Sequence, residues 1–185
     1  MRKTFSFAMT ALFLLLFSSC TYLPVEADAA EFSFEELAHI FALTESEIFD
    51  TYGEPDEENI TSFQGLSANE FIYGKNSFRA EAASGYVYYV CLYDTALEAP
   101  RGVTIGMKIE ELIPLFASAG DDTMYTSPDG AHYRLLYGTY ETGGDYGVIF
   151  YDGRTPLLVE YSSEGCVFAC GIRNGAVDYL EFFVE

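Results

Sequence analysis

Apolar side chains recur at helical spacing early in the chain: Leu37, Ile40 and Phe41, then Ile48, Phe49 and Tyr52. Each group follows a capping-box tetrad, Ser33-Phe34-Glu35-Glu36 and Thr44-Glu45-Ser46-Glu47. In such a tetrad the first hydroxyl accepts from an otherwise orphan amide, and the carboxylate three residues on accepts from the cap amide. Gly53, with Pro55 two residues later, stops the second helix. A third stripe, Ile109, Leu112, Ile113 and Phe116, follows a start at Thr104-Ile105-Gly106-Met107 and ends at Gly120-Asp121-Asp122. Pro114 sits inside that stripe and is expected to kink or split it.

Beyond the second helix the pattern turns to strand. Phe71-Ile72-Tyr73 is a short β-prone run closed by Gly74, and residues 86–93 are apolar on both faces, as in a strand buried in mid-sheet. Six further strands are expected over residues 124–127, 132–137, 146–151, 156–161, 166–172 and 177–184. Asp129-Gly130, Asp152-Gly153, Glu164-Gly165 and Asn174-Gly175 punctuate them. Asn-Gly and Asp-Gly favour the type I′ turn of two-residue hairpins, so Asn174-Gly175 predicts a tight hairpin.

The two halves correspond. Helix, terminating glycine and acidic turn recur in the same order, and Phe71-Ile72-Tyr73-Gly74 is answered by Leu135-Leu136-Tyr137-Gly138. This reads as a diverged duplication of helix then antiparallel meander. The expected fold is therefore α+β: two tandem helix-plus-antiparallel-meander repeats, over residues 32–95 and 103–185, joined by a linker at 96–102, with helices packed on one face of the sheet.

The segment from Thr44 to Asp56 resembles the helix-then-Gly-x-Pro-x signature of β-lactamase-inhibitory-protein-like repeats, a unit similar to that of the small lipoprotein of the outer-membrane assembly machinery. The segment from Arg101 to Leu112 resembles the same helix start in a second copy. The resemblance implies helices on one face of an antiparallel sheet and a second face open to protein. It departs from the family in two places: no proline follows Gly120, and the chain has no Trp. No inhibitory contact residue carries over.

The start of the chain reads as an address. Arg2 and Lys3 precede an apolar run that ends at Leu16-Phe17-Ser18-Ser19-Cys20, a lipobox-like close to a secretory signal over residues 1–20. The apolar run is shorter than the roughly 20 residues a membrane-spanning helix needs. Cys20 is the expected lipidation site, and residues 21–31 the tether. The rival is cleavage after Ala27-Asp28-Ala29, which would give a free secreted protein.

Charge sharpens this picture. The chain carries 29 acids against nine Lys and Arg, a formal charge of −20. Arg2 and Lys3 leave with the signal and no acid does, so the processed chain is more negative still. Such a body is repelled by nucleic acid and by anionic lipid. Membrane attachment would then rest on the lipid anchor alone, and the expected partner is another envelope protein.

Candidate chemistry is sparse. His39 and His132 lie in no nucleophile motif, and no phosphate loop or EF-hand spacing occurs. No cofactor or metal is implied. Of the cysteines remaining after processing, Cys166 and Cys170 would share a strand face about 13 Å apart, too far to bridge each other. Cys91 is left to pair with Cys166 or Cys170, or all three are buried thiols. The binding candidates are Val177, Tyr179 and Phe183, expected on one face of the last strand beside Glu181, together with Arg134 and His132 as positive points on an acidic body. These features favour a non-catalytic, lipid-anchored, extracytoplasmic protein-binding module. The alternatives are a carboxylate-dependent enzyme acting on wall polymers and a structural envelope lipoprotein.

Overall fold

The structure, a computed structural model, describes residues 30–184 apart from 64, 121 and 141–143. The signal segment, Cys20 and the Ala27-Asp28-Ala29 site lie outside the described residues.

Both capping boxes form. Glu36 Oε1 accepts from Ser33 N–H ahead of a 3-10 turn at Phe34–Glu36, which leads into helix α1, Ala38–Phe41. Glu47 Oε2 accepts from Thr44 N–H at 2.9 Å, opening α2, Glu45–Tyr52. Gly53 ends α2 at φ 79°, a conformation open to glycine. The third apolar stripe gives only α3, Ile109–Leu112, followed by a 3-10 turn at Ile113–Leu115. Pro114 splits the stripe as its lack of an amide donor dictates.

Ten strands follow the chain among the described residues: β1 Glu57–Phe63, β2 Leu66–Tyr73, β3 Asn76–Glu81, β4 Val87–Leu92, β5 Tyr125–Thr126, β6 His132–Gly138, β7 Tyr146–Asp152, β8 Thr155–Ser163, β9 Cys166–Arg173 and β10 Ala176–Val184. They form one sheet in the order β1-β2-β3-β4-β10-β9-β8-β7-β6-β5, and every strand pairing among the described residues is antiparallel.

This corrects the expected architecture. The molecule is one continuous antiparallel sheet with a few short helical pieces, not two helix-plus-meander repeats with helices packed on the sheet. Two physical causes account for it. The helical stripes are cut after one or two turns, at Gly53 and at Pro114, too short to make a layer over ten strands. The last strand, β10, pairs with β4 through Leu180↔Leu92 and Phe182↔Val90, which fuses the two halves into one sheet.

The main core lies against one face of that sheet. Leu37, Ile40, Ile48, Leu112 and Phe116 meet Phe78, Val90, Leu92, Phe168, Leu180 and Phe182 there, all buried. Phe116 stacks on Tyr161 at 4.1 Å between ring centroids, and Phe168 on Phe182 at 5.3 Å. Full burial of such side chains stabilises by roughly 1.5–3 kcal/mol each before the entropy cost of ordering them.

Candidate binding face of the sheet

Alternation along each strand sends the remaining side chains to the opposite face. There Glu70, Arg79 and Tyr89 follow one another across β2, β3 and β4, because Glu70 opposes Arg79 and Arg79 opposes Tyr89. The Arg79 guanidinium donates to Glu70 Oε1 at 2.7 Å and sits 4.5 Å above the Tyr89 ring. The Tyr89 hydroxyl in turn donates to Glu181 Oε1 at 2.6 Å. Burial, and then the Glu181 carboxylate, push the Tyr89 hydroxyl well above the ordinary tyrosine range. Tyr89 therefore stays a neutral donor and holds the Glu181 carboxylate in place.

Tyr179, Glu181 and Phe183 share this face of β10, half-buried. The Tyr93 ring lies 5.5 Å from that of Tyr179, and Lys75 reaches over Tyr93 at 5.3 Å. Across the neighbouring strand Ala169 opposes Glu181 on one side and Glu160 on the other. Glu160 Oε1 accepts from the Tyr146 hydroxyl at 2.5 Å. Tyr146 belongs to an aromatic cluster with Tyr133 and Val148, flanked by Tyr125, Leu135, Tyr140 and Phe150. The face is thus a run of rings and carboxylates over the small residues of β9, already holding one guanidinium of its own.

Only part of the site expected from sequence comes together. Tyr179 and Phe183 lie on this face beside Glu181. Val177 does not: the β10–β9 pairing steps from Val177↔Ile172 to Tyr179↔Gly171, leaving Asp178 as an extra residue. Such a bulge reverses the alternation, and Val177 turns into the core at 2% exposure. Arg134 and His132 lie on the core side of β6, since Arg134 opposes the buried Ile149. Arg134 donates to Asp122 at 2.8 Å, and His132 Nδ1 lies 3.1 Å from the Thr126 hydroxyl. His39 Nε2 is 3.0 Å from the Glu98 carbonyl oxygen, at the far side from these rings.

Of the two alternatives open for the cysteines, no disulfide forms among the described residues. Cys91, Cys166 and Cys170 are all thiols. Cys91 opposes Glu181 while Cys170 opposes Leu180, and Cys166 shares the Cys170 face. Cys91 and the other two therefore sit on opposite faces of the sheet, with β10 between their strands. Strands two apart are separated by about 9.6 Å, beyond the reach of a disulfide.

Glu70, Arg79, Tyr89, Glu160 and Tyr146 were not singled out by sequence. The alternation Ser77-Phe78-Arg79-Ala80 was the available signal for Arg79, since it places polar residues opposite apolar ones. Among the described residues no three of His, Cys, Asp or Glu converge as metal ligands, and no helix is long and apolar enough to cross a membrane. An open groove of about 230 Å³ is lined by Ser67, Ala68, Glu81, Tyr86 and Val184 among others, and of these Ala68 and Glu81 share the strand face of Glu70 and Arg79. Comparison of the chain with protein-family models, with curated proteins and with solved structures finds no match.

Proposed function

We propose that this chain is a non-catalytic protein-binding module of the bacterial cell envelope, held at the membrane by lipid on Cys20, and that it binds another envelope protein through the sheet face centred on Glu181. The observation that carries the reading is the row Arg79, Tyr89, Glu181, Tyr179 and Phe183, where rings and charges lie side by side on a face that the main core leaves uncovered. Half-buried aromatics beside fixed charges are the usual anchors of protein recognition. The carboxylates Glu160 and Glu181 are each occupied by a tyrosine hydroxyl and lie outside the groove, which supports binding over acid–base catalysis.

The test is photo-crosslinking in intact cells from positions 179 and 183, with position 134 as the control on the other face. Capture of one envelope protein from 179 and 183 but not from 134 is expected. Release of wall fragments by the purified protein, abolished by Glu160→Gln or Glu181→Gln, would overturn the reading in favour of an enzyme. For the anchor, Cys20→Ala should shift the protein to the soluble fraction and remove acyl label. Soluble wild-type protein cleaved near Ala29 would overturn that part.

A further inference from the structure

The two edges of the sheet differ. β5 is only two residues long, a short edge that offers little to pair with. β1 is seven residues long and pairs with β2 in unbroken register from Glu57↔Ile72 to Phe63↔Leu66, leaving its outer backbone edge open among the described residues. It carries no Lys, no Pro and no bulge, and the only charges along it are the two acids Glu57 and Glu58 at its start. Ile60, in its middle, is 84% exposed. Glu54, Asp56, Glu57 and Glu58 are all exposed at its start, and no ion pair is formed by any of them among the described residues.

We propose that β1 is a strand-addition site for an extended, Lys- or Arg-bearing segment of a partner protein. Backbone hydrogen bonds along the open edge supply the pairing, a partner apolar side chain covers Ile60, and partner cations lie against Glu57 and Glu58. Charge chooses this occupant over the two nearest rivals. A second copy would bring the same acids and a further −20 to the contact. Residues 21–29 of the chain itself carry Glu26 and Asp28 and no cation. The inference goes beyond the sheet-face reading and stands on different residues, so either can fail alone.

The test uses a fluorescent synthetic peptide alternating Lys with Val, a copy N-methylated at alternate amides, and a copy with Glu in place of Lys. The Lys peptide should bind, more weakly as salt rises, and should slow amide exchange at residues 59–61. N-methylation should weaken binding by at least about tenfold, because it removes the edge hydrogen bonds while keeping the charge. Glu57→Lys with Glu58→Lys should weaken it by about tenfold, whereas Tyr179→Ala should leave it unchanged. Equal binding of the N-methylated peptide, protection confined to other strands, loss with Tyr179→Ala, or β1 already protected in a dimer of the free chain would each overturn the proposal.

Discussion

Tyr179 lies flat over Gly171. The two residues oppose each other on β10 and β9, and a Cβ on residue 171 would come within 2.0–2.4 Å of carbons of the Tyr179 ring. Glycine here is a packing requirement: the ring takes the space a side chain would fill, and that contact fixes the ring on the candidate binding face. Gly171→Ala should therefore displace Tyr179 and cost about 1–3 kcal/mol, the range for overpacking. Adding Tyr179→Ala should restore part of that loss, a non-additivity expected of residues in direct contact. Urea denaturation of the two single variants and the double variant measures it; simple additivity would refute the coupling.

The β9–β10 hairpin depends on a second local requirement. Asn174 and Gly175 both adopt positive φ, 54° and 77°. The type I′ turn needs this at both central positions. Asn tolerates the left-handed region better than Ala does, so Asn174→Ala should destabilise by about 1 kcal/mol. Asn174→Gly should stay within about 0.5 kcal/mol of the parent. Equal melting of the two variants would show that the turn is not under this constraint.

That hairpin was legible because its signal is local: two adjacent residues specify a turn, and Glu164-Gly165 repeats the lesson with φ 53° and 76°. The strands of the second half were legible for the same reason, each bounded on at least one side by such a turn. β1 was not, since Glu57-Glu58-Asn59-Ile60-Thr61-Ser62 has a single large apolar residue and faces solvent along one edge. β3 was missed because its inward residues include the small Ala80 and the polar Asn76, which weaken the alternation. The Asp178 bulge leaves no mark in the alternation, and it moved Val177 out of the candidate site. The joining of β4 to β10 is set by packing between residues about ninety positions apart, such as Tyr89 and Glu181. A helix-first reading of the capping boxes was right about where helices begin. It could not tell how little of the sheet they would cover.

Arg101 is expected to be the residue most sensitive to conservative change. It stands at φ 53°, donates to both oxygens of Glu36 at 2.8 and 2.6 Å, and donates to the carbonyls of Ala30, Glu31 and Leu115. Its guanidinium also lies 4.5 Å over the Phe116 ring. One planar group thus pins the start of the described chain to the core. Both side chains of the ion pair are less than a quarter exposed. Arg101→Ala should cost about 2–3 kcal/mol and speed amide exchange over residues 32–37. Arg101→Lys should recover little of this, because an ammonium cannot make the forked contact. Near-parent stability of the Lys variant would show that charge alone suffices.

Alkaline pH should unfold the protein through groups that hold their protons more firmly when folded. Burial, and next the Glu181 carboxylate, push the Cys91 thiol up to about 11 from an ordinary value of 9.0. Burial pushes the Tyr137 hydroxyl up to about 12 from 10.0, against a smaller opposing effect of the Phe32 amide that it accepts. Burial raises Cys170 and Tyr161 as well. A folded pKa above the unfolded one means the unfolded chain releases its proton first as pH rises. The stability from these groups is therefore complete below about pH 9 and lost between about pH 9 and 12. The urea midpoint should fall through that window once the carboxylates are fully ionised on both sides of it. At pH 8 an aromatic disulfide reagent should label Cys91 and Cys170 slowly in the native protein and quickly in denaturant, since the thiolate is the reactive form and the thiols are buried. Rapid native labelling of Cys170 at pH 8, or a stability that rises towards pH 11, would contradict the burial of these groups.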